Sequence, residues 1–418
     1  MLVSFSISNY KSFKEKQTLY MMSKKAGLNS FETGIKNIPY LLNMAVISGP
    51  NASGKSNFLT ALKFMCKFIK SSYKNGLNEE IDVAPYVLDE TSYKEPSEFE
   101  IVIIEDSVLY QYGFAATKEE ILDEWLYVIP KGEDKPQKWF IRKSEQEIGS
   151  WFIDSKYLKD YNISWIKECR KNTLLLSNIA ILKNQYELKK LIGGIGKFHI
   201  LDNGAEVLSD KFTSRQFNND KCHDRILTFI KNADVGIENI IVAERTLTEN
   251  DMPQSFRKEF SEMVSKNPDL AKTFENISVH KKENGTLVEL DFDTTASDGT
   301  KVLFALAGPL CDVLDNGLVL VVDEINRSLH FKELEYIESL FLDKKINSHN
   351  AQLLYTTHDT SVWNKHSREE LYIVDKKNGY SSNLYSVLEK ENRNDAISLR
   401  RRYEKGSYDG LPNIGGAK

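Results

Sequence analysis

The stretch GPNASGKSN, Gly49 to Asn57, decides the fold class of this sequence. It matches the pattern GxxxxGK[ST], a loop between a strand and a helix that holds phosphate groups. The apolar run YLLNMAVIS before it predicts a buried strand, and NFLTALKFMCKFIKSS after it has the apolar spacing of a helix. The loop's backbone N–H groups and the helix N-terminus would together bind the anion.

The same loop supplies the first predicted ligands of a nucleotide and its metal ion. Lys55 would reach the β- and γ-phosphate oxygens, and the Ser56 hydroxyl would ligate Mg²⁺. Asn51, Gly54 and Asn57 complete the nucleotide contacts predicted for the loop. The loop alone does not distinguish ATP from GTP.

A second apolar strand, within LVLVVDE, ends in two adjacent carboxylates. Asp323 is predicted to be the second Mg²⁺ ligand, and Glu324 the general base that polarises an attacking water. The alternative is a strand that ends in two acids on a solvated loop. The adjacent acids argue against small GTPases, which lack this pair.

Two further segments complete an ordered series of motifs. His358 follows a predicted strand in AQLLYTTHD and could hydrogen-bond the γ-phosphate or its attacking water, although a single histidine can also be structural. The segment SDGTK, starting at Ser297, precedes an apolar helix. Ser297 and Gly299 could therefore bind phosphate, or Ser297 could be an ordinary N-cap. The order of phosphate loop, long insertion, Ser-x-Gly helix start, acid strand and histidine strand favours the phosphate roles.

Composition limits the class of protein. The chain has 418 residues, of which 41% are hydrophobic and 28% charged, so we expect two or three folded cores. Its net charge of −5 argues against a large non-specific nucleic-acid surface. The four cysteines are scattered, which suggests neither disulfides nor a zinc site and fits a reducing compartment. With no apolar run approaching the ~20 residues of a membrane span, we expect a cytoplasmic protein without a membrane partner.

The pattern along the chain predicts three segments. Residues 1–143 contain a half-buried first strand at 2–9, the phosphate loop and an antiparallel meander over 98–129. Residues 144–275 are rich in Lys and Glu with helical periodicity, which predicts a mostly helical insertion. Residues 276–418 carry a hairpin turning at Asn284-Gly285, the SDGTK helix, the acid strand and the histidine strand.

This order of motifs resembles the ABC-type ATPases, and among them the SMC, Rad50 and RecF branch. The resemblance implies an α/β fold: a P-loop ATPase head with a mixed sheet and an antiparallel β subdomain. It implies ATP and Mg²⁺ as ligands, and heads that dimerise head to tail so that Ser297 of one caps the γ-phosphate held by the other. Lys11 in FSISNYKSF would lie near the nucleotide, and Arg327, Ser328 and His330 would cross the dimer interface.

The combination SDGTK, VVDEINRSLH, TTHD and RRYEKGSYDGLPNI is similar to the stand-alone bacterial ATPases of AbiL and PARIS type in anti-phage defence. That resemblance implies a homodimer or larger homo-oligomer that restrains a toxic protein effector, such as a TOPRIM-type or other nuclease, until a phage-derived trigger arrives. The alternative function is a RecF-like or SMC-like DNA-binding repair ATPase. It would predict basic surfaces, for which the run Arg400 to Arg402 and the lysines of the insertion are candidates.

Overall fold

The computed structural model describes residues 1–27, 29–143, 151–154, 156–158, 164–201, 210–233, 236–327, 329–377, 380–390, 398–405 and 408. The chain divides into two compact units. The first unit comprises Met1–Asp202, Asn316–Asn326 and Ile337–Lys418, and the second comprises Asn203–Asp315 and Arg327–Tyr336. Within the described residues, no helix combines the length and apolar character that crossing a membrane would require.

The described strands and helices alternate along the chain. The strands are β1 Leu2–Ser8, β2 Gln17–Tyr20, β3 Met22–Ser23, β4 Ser30–Ile35, β5 Ile38–Leu42, β6 Met44–Ser48, β7 Ser97–Glu105, β8 Val108–Ala116, β9 Ile121–Ile129, β10 Gln137–Lys143, β11 Phe152–Ile153, β12 Phe198–Leu201, β13 Asn239–Thr246, β14 Lys272–Lys281, β15 Leu287–Asp291, β16 Val319–Val322, β17 Gln352–Thr357, β18 Leu371–Lys377 and β19 Ser381–Ser386. The helices are α1 Lys55–Ser71, α2 Ser164–Glu168, α3 Leu175–Leu182, α4 Tyr186–Gly196, α5 Lys211–Phe217, α6 Asp220–Asn232, α7 Arg257–Lys266, α8 Phe292–Thr295, α9 Asp298–Asn316, α10 Phe331–Leu342, α11 Val387–Lys390 and α12 Leu399–Glu404.

A six-stranded sheet in the first unit has the order β12-β16-β17-β6-β18-β19. Its strands β12, β16, β17, β6 and β18 are paired in parallel, and β19 is antiparallel to β18. Every residue of β6, β16 and β17 is buried, as expected for parallel strands covered on both faces. The predicted single strand before the phosphate loop is two strands, because the chain breaks at Asn43 between β5 and β6.

The second sheet of this unit is antiparallel, with the order β11-β10-β9-β8-β7-β1-β2, and it contains the predicted meander as β7, β8 and β9. The prediction of a half-buried β1 was wrong, because Ser4 and Ser6 are buried together with the apolar residues between them. The Ser6 hydroxyl hydrogen-bonds the Thr18 hydroxyl of β2 at 2.9 Å. A small polar side chain paired in this way needs no contact with water.

Helices α3 and α4 belong to the first unit although the sequence predicted them within the insertion. The Ser177 hydroxyl of α3 donates to the carbonyl of Ile69 in α1 at 2.6 Å. A Cβ added to Gly194 of α4 would lie 2.9 Å from Ile103 of β7, so this helix packs closely on the antiparallel sheet. The predicted boundary at residue 144 therefore does not coincide with the start of the second unit.

The second unit combines helices with a three-stranded antiparallel sheet, β13-β14-β15. β14 and β15 form the predicted hairpin, and Gly285 in its turn has the positive φ of +83° that glycine adopts without strain. β13 lies within the segment for which helical periodicity was predicted. Its run NIIVAERT contains three β-branched residues in succession, which favour a strand.

Helix α9 carries Pro309 in its interior, where the missing N–H leaves the carbonyl of Ala305 without its helical donor. The Thr213 hydroxyl of α5 compensates, since it donates to the Ala305 carbonyl at 3.0 Å and accepts the Gly308 N–H at 3.0 Å. A Cβ on Gly308 would lie 2.6 Å from the Thr213 Cα, so only glycine permits this contact. One buried hydroxyl thus joins α5 to α9.

Strand β17 is also braced from outside its sheet by a buried acid–base cluster. Its Tyr355 hydroxyl donates to the Glu338 carboxylate of α10, and His366 Nε2 lies 3.0 Å from that carboxylate. Glu370 lies 3.6 Å from His366 Nδ1 and accepts hydrogen bonds of 3.0 Å from Asn29. Burial alone would lower the pKa of His366, but the two carboxylates outweigh it and raise the pKa to about 9.

We expect Thr213→Val to destabilise the second unit, because the near-isosteric side chain leaves the Ala305 carbonyl without a donor and removes the bond from the Gly308 N–H. The cost should be about 1–3 kcal/mol, which corresponds to a loss of several degrees in melting temperature. Thr213→Ser keeps the hydroxyl and serves as the control. Thermal unfolding followed by circular dichroism would contradict the assignment if both variants melted alike.

Stability should fall as the pH rises through 9. The native His366 binds a proton up to a pKa of about 9, whereas the unfolded residue releases it at 6.5. The contribution, on the order of 3 kcal/mol, is therefore fully present below pH 6.5 and is lost as the pH rises through 9. We expect His366→Gln to be less stable at pH 6.5 and to lose less stability between pH 7 and 10. Equal pH dependence of the two denaturation midpoints would contradict this account.

Candidate active site

Three parallel strands bring the predicted motifs to one edge of the sheet. β6 runs into the phosphate loop, β16 into Asp323, and β17 into His358. In the pairing, Thr357 lies opposite Ser48 and Val322 lies opposite Tyr355, so the three strands end at nearly the same level. Ligands bind characteristically beyond the carboxyl ends of parallel strands.

The phosphate loop adopts a conformation that depends on glycine at Gly54. This residue has φ +118°, and a Cβ there would lie 2.4 Å from the Ser382 hydroxyl and 2.8 Å from the Ser12 hydroxyl. Asn51 and Ser56 are exposed at the loop. Their side chains are therefore accessible to a ligand, as their predicted roles require.

Lys55 is buried and its ammonium group lies along the inside of the loop. Its Nζ donates to the Gly49 carbonyl at 2.8 Å and to the Pro50 carbonyl at 3.0 Å. Burial lowers the pKa of Lys55, and the carboxylates of Glu324 and Asp323 oppose that shift. The lysine thus lies close enough to both acids to interact with them electrostatically.

The turn that carries Lys11 packs beside the loop. Asn57 donates to the Ser12 hydroxyl at 2.8 Å, which connects the start of α1 to this turn. Lys11 has a left-handed backbone, φ +49°, and its N–H donates to the Ala84 carbonyl at 2.7 Å. Its side chain is partly buried, which lowers its pKa, while Asp82 opposes that shift. Lys11 therefore directly precedes a residue that contacts the start of α1, and its place near a nucleotide stays a prediction.

Ser12 and Ser382 were not recognised from the sequence, although they enclose the loop. Ser382 N–H donates to the Ser12 carbonyl at 2.7 Å, and the Ser382 hydroxyl donates to the carbonyl of Ser53. An isolated serine in a turn and another on a strand give no signal in a single sequence. Only the pairing of distant segments brings them together.

The two acids are held by a threonine of the neighbouring strand. Thr356 donates its hydroxyl proton to Asp323 Oδ1 at 2.5 Å and accepts the Glu324 N–H at 2.7 Å. Asp323 is buried, and Glu324 is half-buried with a left-handed φ of +48°. Because such a backbone is unfavourable for a residue other than glycine, the hydrogen bond to Thr356 helps to retain it.

His358 is exposed at the end of β17 and is joined to the loop that follows the acids. Its Nε2 lies 3.3 Å from Asn326 Nδ2, and the Thr357 hydroxyl donates to Asn326 Oδ1 at 2.9 Å. Asn326, Thr356 and Thr357 were not predicted as site residues. The doublet Thr356-Thr357 at the end of an otherwise apolar strand is the signal that could have identified two of them.

The segment SDGTK, Ser297 to Lys301, belongs to the second unit, together with Arg327 and His330. Ser297 is exposed and caps α9, since its hydroxyl accepts the Thr300 N–H at 3.2 Å. Gly299 lies in the first turn of that helix. The N-cap alternative is thus realised, and it leaves the helix N-terminus with its partial positive charge. Ser328 lies outside the described residues.

The residues at the sheet edge fit a magnesium-bound nucleoside triphosphate. Lys55 and the N-terminus of α1 provide positive charge at the loop. The Ser56 hydroxyl and the Asp323 carboxylate are the hard oxygen donors that Mg²⁺ prefers, and Mg²⁺ commonly takes its other ligands from phosphate and water.

Comparison with known proteins gives one family match. The family model described as "AAA domain, putative AbiEii toxin, Type IV TA system" matches residues 44–363, which are 320 of the 418 residues. The match extends from the first residue of β6 to Trp363, beyond His358, and so includes the loop, the acids and the histidine. A search of curated proteins finds no match.

Solved structures similar to the chain include heads of SMC and RecF type. An SMC head domain from Thermotoga maritima has a TM-score of 0.40 and 15% identity, over 92% of this chain and 98% of that one. An SMC head bound to the C-winged helix domain of ScpA has a TM-score of 0.40 and 14% identity, over 96% and 99%. The recombination mediator protein RecF-ATPrS of the RecFOR pathway has a TM-score of 0.38 and 15% identity, over 92% of this chain and 98% of that one.

The family match confirms the prediction of a P-loop ATPase, and the mixed α/β fold of the chain agrees with it. The closer resemblance to AbiL- and PARIS-type ATPases remains a prediction. The chain belongs to the AAA-domain family of P-loop ATPases.

Proposed function

We propose that the protein hydrolyses ATP in a Mg²⁺-dependent reaction at the edge of its parallel sheet. The observation that carries the proposal is the convergence of Lys55, Asp323, Glu324 and His358 at the ends of neighbouring strands. The choice of ATP follows the resemblance to ABC-type heads. When bound, Mg²⁺ would neutralise charge that develops on the phosphate oxygens.

The chain's own residues would then divide the work. Lys55 would exchange its hydrogen bonds to the Gly49 and Pro50 carbonyls for bonds to phosphate oxygens. Glu324 would orient a water and accept its proton, and its backbone is already fixed by Thr356. His358 would hydrogen-bond the γ-phosphate or the attacking water. The buried Asp323 would remain in place through its own bond to Thr356.

Two copies would form the active assembly, head to tail. The N-terminus of α9 supports this proposal, because this helix of 19 residues begins at Asp298 and the partial positive charge of its N-terminus lies at a surface-exposed end. Ser297 at this end would reach the γ-phosphate held by the other copy. Larger homo-oligomers built from such dimers are compatible with the same contact.

The biological role we favour is the regulation of a toxic effector, such as a TOPRIM-type or other nuclease, in defence against phage. The similarity of the SDGTK, VVDEINRSLH and TTHD segments to defence ATPases supports it. The family description names a toxin and a type IV toxin–antitoxin system, which also suits a two-component system. A phage-derived trigger would release the effector from the ATP-bound assembly.

The alternative is a RecF-like or SMC-like ATPase that binds DNA. Most of the basic candidates for that role have partners within the protein, which weakens it. Arg400 pairs with Glu404 at 2.7 Å and Arg402 is buried, which leaves Arg401 as the exposed member of the run. Three lysines of α4 and of the turns that flank it pair with acids: Lys183 with Glu168 at 2.5 Å, Lys190 with Glu187 at 3.3 Å and Lys197 with Glu105 at 2.5 Å. Lys189 instead donates to the side-chain amide oxygen of Asn184.

The dimer can be tested by mixing two inactive variants. Lys55→Ala removes the phosphate contact of a copy's own loop. Ser297→Asp keeps a good N-cap but sets a carboxylate against the phosphate of the other copy. We expect each variant alone to be inactive, and an equimolar mixture to regain roughly a quarter of the wild-type rate, because half of the dimers then hold one intact site. A mixture that stays inactive while both variants fold would contradict the head-to-tail site.

The role of the assembly can be tested with Glu324→Gln, which should bind ATP, fail to hydrolyse it and so trap the closed state. We expect the tagged variant, purified from its native cells with ATP, to retain a stoichiometric protein partner that Lys55→Ala does not retain. Mass spectrometry and a nucleic-acid assay would identify what is bound. Co-purified DNA without a protein partner would favour the DNA-binding alternative.

A further inference from the structure

Hydrogen bonds connect the end of β17 to His358 through Asn326, which lies in the loop that follows Asp323 and Glu324. The Asp359 N–H donates to the Thr357 hydroxyl at 3.0 Å, and that hydroxyl donates to Asn326 Oδ1 at 2.9 Å. Because Asn326 Oδ1 accepts from Thr357, its amide nitrogen faces His358, at 3.3 Å from Nε2. All four residues lie in the first unit.

The direction of this chain determines the protonation of the imidazole. An amide nitrogen only donates, so Nε2 of His358 must accept, and a neutral imidazole then carries its proton on Nδ1. A proton on Nε2 would instead set an N–H group against the two N–H groups of the amide. The N–H that His358 can offer to a phosphate oxygen is therefore the one on Nδ1.

We propose that Asn326 is a positioning residue that makes His358 a donor through Nδ1 and ties its ring to the loop carrying Asp323 and Glu324. The loop from Asp323 to Asn326 is fixed at both ends by the threonine doublet, since Thr356 holds both acids and Thr357 holds Asn326. A displacement of the acids would move Asn326, and with it the partner of His358. The functional part of this inference rests on the proposed ATP hydrolysis, whereas the tautomer does not.

The tautomer can be measured on the full-length protein labelled with ¹⁵N-histidine, without nucleotide. Long-range proton–nitrogen correlation distinguishes a protonated from an unprotonated ring nitrogen, and His358→Gln identifies the relevant signals among the seven histidines. We expect the wild type to carry the proton on Nδ1. Asn326→Asp should move it to Nε2, because the new carboxylate accepts where the amide donated.

Asn326→Leu is the matched control for shape, since it neither donates nor accepts and should remove the preference for a proton on Nδ1. A wild-type protein with its proton on Nε2 would overturn the proposal. So would an Asn326→Asp variant whose His358 signals match those of the wild type. Neither result depends on whether the protein hydrolyses ATP.

Steady-state hydrolysis then separates positioning from general damage to the fold. We expect Asn326→Asp to lower kcat about tenfold with little change in KM, because the contact serves the reacting phosphate. In a His358→Gln background the same substitution should change kcat by less than about twofold, since its effect passes through the histidine. If kcat of the double variant fell by the product of the two single-variant losses, Asn326 would act independently of His358. An inactive wild type would refute the proposed function but leave the tautomer test intact.

Discussion

The parallel pairing of β17 between β16 and β6 is the constraint on which the site depends. Its register places Ser48, Val322 and Thr357 at one edge, so that three segments far apart in the chain leave the sheet side by side. Gln352 at the start of β17 secures this strand to the rest of the unit. Its buried side chain accepts the Leu2 N–H at 2.6 Å and donates to the carbonyls of Leu2 and Leu42 at 3.0 and 3.1 Å. A one-residue slip of β17 would exchange Thr356 for a neighbour that faces the opposite side.

The threonine doublet at the end of β17 uses this alternation. Thr356 and Thr357 are both fully buried, and each satisfies its hydroxyl within the loop that follows β16. Since successive side chains point to opposite faces, one hydroxyl reaches the acids and the other reaches Asn326. β17 thus contributes no charged group to the site, yet its two threonine hydroxyls hold Asp323, Glu324 and Asn326, which follow the neighbouring strand β16. The Tyr355 contact with Glu338, one residue earlier, braces the same strand against α10.

The sequence predicted those parts of the molecule whose physics is local. Three patterns each depend on a short segment only: the glycines around Lys55, the apolar run before Asp323 and the alternation in the meander. Each of these segments has the predicted secondary structure. Ser12, Asn326 and Ser382 could not be found in this way, because their roles arise from contacts between segments up to hundreds of residues apart. The placement of α4 in the first unit could not be predicted for the same reason: its sequence has an ordinary helical pattern, and its place depends on contacts with distant segments such as the close approach of Gly194 to β7.

The polar groups proposed to bind the nucleotide share one property that bears on how the protein would respond to a ligand. Lys55 is bonded to loop carbonyls, His358 to Asn326, and Ser297 to the start of its own helix. A triphosphate would therefore exchange these hydrogen bonds rather than satisfy groups that lacked partners. Replacing a hydrogen bond within the protein by one to the ligand contributes little net free energy of binding, since a typical hydrogen bond is worth about 0.5–1.5 kcal/mol. Hydrogen bonds between charged groups contribute more. In the proposed head-to-tail dimer, the free energy of closure would then come mainly from the phosphate charge shared between Lys55 of one copy and the N-terminus of α9 of the other. Loss of the γ-phosphate would remove that charge, the internal bonds would reform, and the assembly would reopen without an unpaired group in either state.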